Sequence, residues 1–258
     1  MVSAMLSPRH PEPTDRRADF GYRRVPEGEK VSLVRAVFDS VAPKYDLMND
    51  LMSLGAHRLW KAAMIDWLNP RPGMSLLDVG GGTGDIAMSF LARDGGSAVV
   101  CDINRKMVTV GRNRAIDRGH LDGIAWTCGD AEALPVADAS VDAYATAFCI
   151  RNVTRVEAAL AEARRVLKPG GRFLCLEFSH VTVPLLDRFY DAYSFRVLPA
   201  LGQFVAGDRG SYRYLAESIR RFPAQAAFAA MITDAGLGQV RWRDLSGGIA
   251  ALHSAWRL

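Results

Sequence analysis

From residue 75 onward the chain alternates two hydrophobic rhythms. Short apolar runs predict strands over 75–79, 98–102, 124–128, 141–148 and 172–178. Between them, apolar positions recur at helical spacing over 85–93, 106–118 and 155–167. Thr154 and Glu157 have the spacing of a capping box opening the last of these helices, and Lys168-Pro169-Gly170-Gly171 marks its end. Upstream, Val31, Val34, Val37, Phe38 and Val41 fall on one helix face over 30–42, closed by Pro43. Leu59, Trp60, Ala63, Met64 and Trp67 predict another helix over 57–68, and Asn69-Pro70-Arg71-Pro72-Gly73 then breaks the chain. A helix near 228–234 and strands over 239–244 and 249–256 follow at the end. Such alternation means a mostly parallel α/β sheet with helices on both faces. Its ligand belongs at the carboxyl ends of the strands, where Asp78, Asp102, Asp130 and Phe148 fall.

The rhythm breaks between 184 and 218, where Phe189, Tyr190, Tyr193, Phe195, Phe204, Tyr212 and Tyr214 accumulate. Two readings stand: a pair of core-packing helices, or an insertion that covers the site and meets an apolar substrate.

The strand over 75–79 runs into Asp78-Val79-Gly80-Gly81-Gly82-Thr83-Gly84-Asp85. A strand, a glycine turn and a helix are the opening of a nucleotide-binding unit, with Gly80 and Gly82 letting backbone N–H groups approach a ligand. Asp78 and Asp85 would repel the pyrophosphate of a dinucleotide. S-Adenosylmethionine carries an ammonium, a sulfonium and a carboxylate but no phosphate, so the loop reads as a methyl-donor site. Asp102 ends the next strand about 20 residues on, where such a fold places the acceptor for the ribose hydroxyls. Asp130 follows the third strand, where its carboxylate and the Ala131 backbone N–H can frame an adenine.

Composition narrows the class. With 258 residues, 49% hydrophobic and 23% charged, the chain suits one large globular α/β domain. Its net charge of +4 is mild and its Lys and Arg are scattered, which argues against nucleic acid. Cys101, Cys128, Cys149 and Cys175 lie singly in apolar runs and the five His are dispersed, so buried structural thiols are expected and no metal. No apolar run reaches the roughly 18 residues of a membrane span. Residues 1–29 are polar, bear proline and lack the apolar stretch of a signal peptide. Glu12, Asp15 and Asp19 argue against a transit peptide, and a flexible arm is expected.

Two longer segments carry a resemblance. Residues 45–60 (YDLMNDLMSLGAHRLW) and 165–179 (RVLKPGGRFLCLEFS) resemble the two signatures of the UbiE family of quinone C-methyltransferases, and the similarity runs from about Phe20 to the end, through 191–195 and 211–219. The resemblance implies a class I methyltransferase (Rossmann-like) fold with a seven-stranded, mostly parallel sheet. The arm would precede one domain over 30–258: a helical lid (30–72), a cofactor-binding core (73–180), a substrate-cover insertion (181–222) and a C-terminal helix and strand pair (223–258). It implies methyl transfer from S-adenosylmethionine to a ring carbon of a polyprenylated quinol, either a 2-polyprenyl-6-methoxybenzoquinol or demethylmenaquinol. Carried over by position, Thr83, Asp102, Asp130 and Ala131 are cofactor contacts, beside Asp78, Gly80 and Gly82 from the loop itself. Many members have Ser where this chain has Ala147, so one hydroxyl contact is missing.

Ring methylation needs a quinol oxygen polarised and a ring proton removed. Arg151 follows the fourth strand and is expected to stabilise the developing phenolate rather than act as a base. The alternative for Arg151 is a surface ion pair with a carboxylate such as Glu157. Asn152 is expected to orient the quinol oxygen or a water, and Tyr45 and Asp46 to close over the ring. A small-molecule O- or N-methyltransferase would share the loop but not both signatures. An NAD-dependent oxidoreductase fits the acids poorly, and a non-enzymatic quinone-binding module would need a blocked site. The expected partners are the quinol, a membrane surface or other quinone-biosynthesis proteins met peripherally, and in a further reading a second copy of the chain as a homodimer. The expected location is cytoplasmic, at the inner face of the membrane, with the mitochondrial matrix side as runner-up. The proposed membrane contact is the segment from Leu185 to Phe204.

Overall fold

In a computed structural model, the structure describes residues 16–41, 45–119, 122–200, 203 and 208–258. The core is a seven-stranded sheet whose strands are β3 (Ser75–Val79), β4 (Ser97–Asp102), β5 (Ile124–Cys128), β6 (Val141–Ala147), β7 (Leu167–Phe178), β8 (Gly238–Leu245) and β9 (Ala250–Trp256). Their order is β5-β4-β3-β6-β7-β9-β8, with β9 antiparallel to both neighbours and the other pairings parallel. The chain therefore leaves β3 in one direction to β4 and β5, and in the other to β6. The crevice beyond the carboxyl end of β3, where that order reverses, is where such a sheet binds ligands.

Helices α1 (Glu27–Val41), α2 (Tyr45–Ser53), α3 (His57–Leu68), α4 (Asp85–Leu91), α5 (Arg105–Asp117), α6 (Val156–Val166), α7 (Pro184–Ala192), α8 (Arg209–Arg221) and α9 (Gln225–Asp234) complete the fold. Alternation along the strands sorts side chains between two cores. Leu76, Val100, Ala145 and Leu174 face Met48, Trp60, Met64, Phe90 and Leu215 from α2, α3, α4 and α8. Leu77, Cys101, Tyr144 and Phe173 face Leu160, Ala163, Phe228 and Ile232 from α6 and α9. Strands buried on both faces explain why β3, β4 and β7 read as near-continuous apolar runs.

Three expectations are corrected. Residues 16–29 of the expected arm are folded: β1 (Arg17–Phe20) and β2 (Arg23–Pro26) form an antiparallel hairpin, and α1 begins at Glu27. The hairpin is held by docking on α8. The Phe20 ring stacks on Tyr214 with centroids 4.1 Å apart, the Tyr22 amide donates to Glu217 Oε2 at 3.0 Å, and Arg221 pairs with Asp19. Residues 1–15 lie outside the described residues. The capping box does not form. α6 is capped by Arg155 with no side-chain bond, the Thr154 hydroxyl has no partner, and Glu132 Oε1 instead accepts from the amides of Thr154 and Arg155. The cysteines divide, with Cys101 and Cys175 buried, Cys149 half-buried and Cys128 exposed.

The aromatic segment satisfies both of its readings in part. Tyr190 and Leu198 are buried, while Phe189 is 66% exposed and Phe195 and Val197 also reach solvent. The Tyr190 and Tyr193 hydroxyls donate to the Met52 and Leu51 carbonyls, which ties the segment to α2. Phe204 lies outside the described residues.

Candidate active site

The carboxyl ends of β3, β4, β5 and β6 surround a cavity of about 790 Å3 that includes its open mouth. Its floor carries Gly80, Gly82, Asp102, Asp130, Ala131 and Asn152, and α1 roofs it with Val31, Val34, Arg35 and Phe38. Phe148, Cys149 and Met107 line it too. A second, narrower cavity of about 280 Å3 shares Gly80 and is lined by Lys61, Asp78, Thr83, Asp85 and Ala147. The structure thus brings the expected loop residues together, with Asp102, Asp130, Ala131 and Asn152 in the large chamber and Asp78 and Thr83 in the small one.

The glycine loop is required by the protein's own packing as well as by any ligand. Gly80 has φ +63°, and a Cβ there would lie 2.1 Å from Cys149 Sγ. At Gly81 a Cβ would lie 2.7 Å from the Asp78 carboxyl carbon. The loop can therefore turn over Asp78 without a side chain between them.

Asp102 is fixed by two backbone donors, Gly82 N to Oδ2 at 2.9 Å and Asn104 N to Oδ1 at 2.8 Å. Burial still raises its pKa to about 6, those amides offsetting part of the cost. Asn104 caps α5 through its Oδ1 and donates from Nδ2 to Asp39 of α1 at 2.9 Å, which ties the roof to the floor. Asp130 Oδ1 accepts from the Glu132 amide at 2.9 Å. Asp78 is fully buried and its Oδ2 accepts from the Ala87 amide at 3.2 Å, whereas Oδ1 has no partner. Burial lifts its pKa to about 7. An isolated carboxylate oxygen held there is unfavourable unless a cation or donor arrives.

Arg151 does not line the large cavity. The surface pair with Glu157 is overturned: its guanidinium is buried against Glu177, with Nη1 2.6 Å from Oε1. The same Nη1 donates to the Phe148 carbonyl at 2.6 Å, and Nε donates to Ser218 Oγ at 3.3 Å. Phe148 has φ +58°, a strained conformation for a bulky residue that costs roughly 1–2 kcal/mol. Asn152 lines the cavity beside it, with Oδ1 accepting from the Tyr214 hydroxyl at 3.0 Å. Tyr45 begins α2, and nothing of its side chain or that of Asp46 lies within the described part.

Sequence reading placed α1 in the expected lid over 30–72 but missed the site roles of Glu177 and Tyr214 and the α1 side chains that line the cavity. Each is brought to the site by tertiary packing, so local spacing carried no signal. The one available hint was Glu177 itself, an acid inside an apolar strand.

Comparisons place these features among known proteins. Residues 25–257 match the model of the ubiE/COQ5 methyltransferase family. The chain is 58% identical over 254 residues to the "Ubiquinone/menaquinone biosynthesis C-methyltransferase UbiE" of Paracoccus denitrificans, covering 98% of this chain and all of that one. It is 61% identical to the protein of that name from Methylobacterium nodulans, covering 93% and 96%. Among solved structures it resembles a SAM-dependent methyltransferase of Thermotoga maritima, described as a possible histamine N-methyltransferase, with a TM-score of 0.63 at 18% identity over 87% and 100% of the chains. A putative S-adenosyl-L-methionine-dependent methyltransferase of Methanococcus maripaludis gives 0.61 at 16% identity, over 84% and 91%. At those identities the likeness shows the fold alone.

Two outcomes are expected from this geometry. Glu177→Ala should lower stability by about 3–5 kcal/mol, because it leaves the Arg151 charge buried and unpaired. Urea unfolding at constant m-value measures it, and a loss below about 1 kcal/mol would mean the pair anchors nothing. For Asp78 the folded pKa of about 7 lies above the ordinary 3.8. Its contribution to stability is therefore full below that ordinary value and is lost as pH rises through about 7. Asp78→Asn should accordingly gain melting temperature relative to wild type as pH is raised from acid to mildly alkaline. Parallel pH curves for the two proteins would refute the assignment.

Proposed function

The chain belongs to the ubiE/COQ5 methyltransferase family, and we propose that it methylates a ring carbon of a polyprenylated quinol at the mouth of the large cavity, with S-adenosylmethionine as donor. The observation that carries the donor assignment is the buried Asp78 Oδ1 without a partner, beside a glycine loop and near a second, half-buried acid, Asp102. A cationic ligand relieves that carboxylate, whereas a pyrophosphate would add to its repulsion.

Asp102 would take the ribose hydroxyls, Asp130 and the Ala131 N–H the adenine, and Asp78, Gly80, Gly82 and Thr83 the amino-acid end. Bound there, the donor supplies an electrophilic methyl on a sulfonium. The protein must hold a quinol in line with it, exclude water and stabilise charge on the ring oxygen as the ring carbon attacks. Phe148, Phe38 and Val34 supply an apolar wall for the ring. Asn152 offers the polar contact at that wall. Arg151 acts through the backbone, holding Phe148 and the turn that carries Asn152, and Tyr45 on the lid is proposed to close over the ring.

Access to a lipid substrate is proposed to run over the α7 segment. Among the described residues no helix is long and apolar enough to cross a membrane. Phe189 and Phe195 face outward, and Tyr22 of the hairpin stacks near Phe195 with ring centroids 6.3 Å apart. Such rings suit the acyl boundary of a bilayer, with Arg196 able to meet phosphates.

The decisive experiment supplies a donor with an isotopically labelled methyl group, together with demethylmenaquinol and a 6-methoxybenzoquinol of short prenyl length. Mass spectrometry should find one label on a ring carbon of at least one of them. Label on oxygen only, or on neither quinol, would remove this reading in favour of another methyl acceptor. For the membrane face, replacing Phe189 and Phe195 with Ser should reduce turnover of a long-chain quinol in vesicles and spare a short-chain analogue. Equal loss on both substrates would show that the rings belong to the fold and not to the membrane.

A further inference from the structure

Asn152 has two polar neighbours of different kinds. The Phe148 carbonyl can only accept, and it lies 3.4 Å from Nδ2. The Tyr214 hydroxyl, 3.0 Å from Oδ1, can donate or accept. Turning the amide over would set two acceptor oxygens against each other at the Phe148 side, so only one orientation satisfies both neighbours. In that orientation Tyr214 must donate. Its ability to do so is secure, since burial raises its pKa and keeps the phenol protonated.

The Phe148 carbonyl is itself fixed, because Arg151 Nη1 donates to it at 2.6 Å. Tyr214 is fixed from its other face by the Phe20 stack. The amide is thus held between a pinned carbonyl and a pinned hydroxyl, and its N–H end is not free to exchange with its oxygen.

We infer that Tyr214 is a positioning residue: its hydroxyl holds the Asn152 oxygen while the Phe148 carbonyl sets which end is the amide, making this side chain a hydrogen-bond donor to the ring oxygen of the acceptor. The inference rests on the quinol reading above and specifies how the site treats that ring. A donor favours the phenolate over the phenol, so it helps most as negative charge grows on oxygen during attack by the ring carbon. An acceptor at the same place would hold the phenol proton and oppose that charge. The hairpin of residues 17–26 takes part through Phe20, although it does not border the cavity.

The test uses the full chain, a short-chain demethylmenaquinol and a saturating methyl donor, with single-turnover rates followed over the alkaline range beyond the titration of Asp78 and Asp102. Tyr214→Phe should slow methylation roughly tenfold near neutrality, move the rising limb of the rate–pH profile about one unit upward, and leave donor affinity unchanged. Asn152→Asp should move the limb further in the same direction, because it places a charged acceptor beside the oxygen. A lowered plateau with the limb unmoved in both variants would overturn the inference, as would a wild-type rate in Tyr214→Phe. If Tyr214→Phe does not fold, Asn152→Ala and Asn152→Asp decide alone: the inference requires both limbs to move, with Asp the further. Failure of wild type to methylate any quinol would instead overturn the quinol reading, and this inference with it.

Discussion

The buried pair between Arg151 and Glu177 is the constraint on which the site depends. Both side chains are 2% exposed, so both charges have lost their hydration. Burial pushes the Glu177 pKa up, against the pull of Arg151. The pair is tolerable because its remaining capacity is used: Glu177 Oε1 also accepts from the Phe178 amide at 2.9 Å, and the Arg151 guanidinium reaches Phe148 O and Ser218 Oγ. Those partners lie on the β6 exit, on β7 and on α8. One ion pair therefore fixes the three pieces of chain that meet behind the cavity, and it holds Phe148 in its strained left-handed conformation. A hydrophobic pair of similar volume could fill the space, but it could not take the Phe148 carbonyl.

The acids at the front of the site follow the opposite logic. Asp78 is buried and Asp102 half-buried, with no cationic side chain bonded to either among the described residues, and desolvation raises the pKa of both above an ordinary carboxyl. Their desolvation costs folding stability, and a cation bound beside them would recover part of it. Ionisation of these groups and arrival of a positively charged ligand are then linked, each favouring the other. Lys61 is close enough to matter but is directed elsewhere, bonded to Asp85 at 2.8 Å. That pairing keeps the lysine from neutralising Asp78 permanently.

What the sequence made legible was local. β3 and β5 begin and end where their apolar runs do, and α3 matches its amphipathic stretch: β3 is buried on both faces, α3 on one, and β5 lies half-buried at the sheet edge. The acids at the strand ends were legible for the same reason: a parallel sheet puts strand termini together whatever the intervening helices do. The hairpin over 17–26 was not, since charged residues hide its alternation and its stability comes from Tyr214 and Glu217, nearly 200 positions away. The capping box failed because Glu132, on a neighbouring loop, takes the Thr154 amide that Glu157 would have bonded. Arg151 was found, but its partner was not. Glu157 neighbours Arg151 along the chain, whereas β7 delivers Glu177 through the sheet, with Ala147 opposite Leu176 in register.

The α7 segment shows how one stretch can belong to the core and to the rim together. α7 runs directly into a π turn over Tyr193–Val197. A wider turn adds one residue to the helical count, and each residue advances the helix face by about 100°. The inward face nonetheless keeps its α-helical spacing across the turn. Tyr190, Ser194 and Leu198 still point inward, at the four-residue spacing of a single face, while Phe195 and Val197 are left outside with Phe189. The two tyrosine hydroxyls meet consecutive carbonyls, Met52 and Leu51, across the bulge. The outward rings thus lie off the face that the two tyrosines secure to α2. Their exposure is built into a well-anchored element, an anchoring that a frayed core helix would lack.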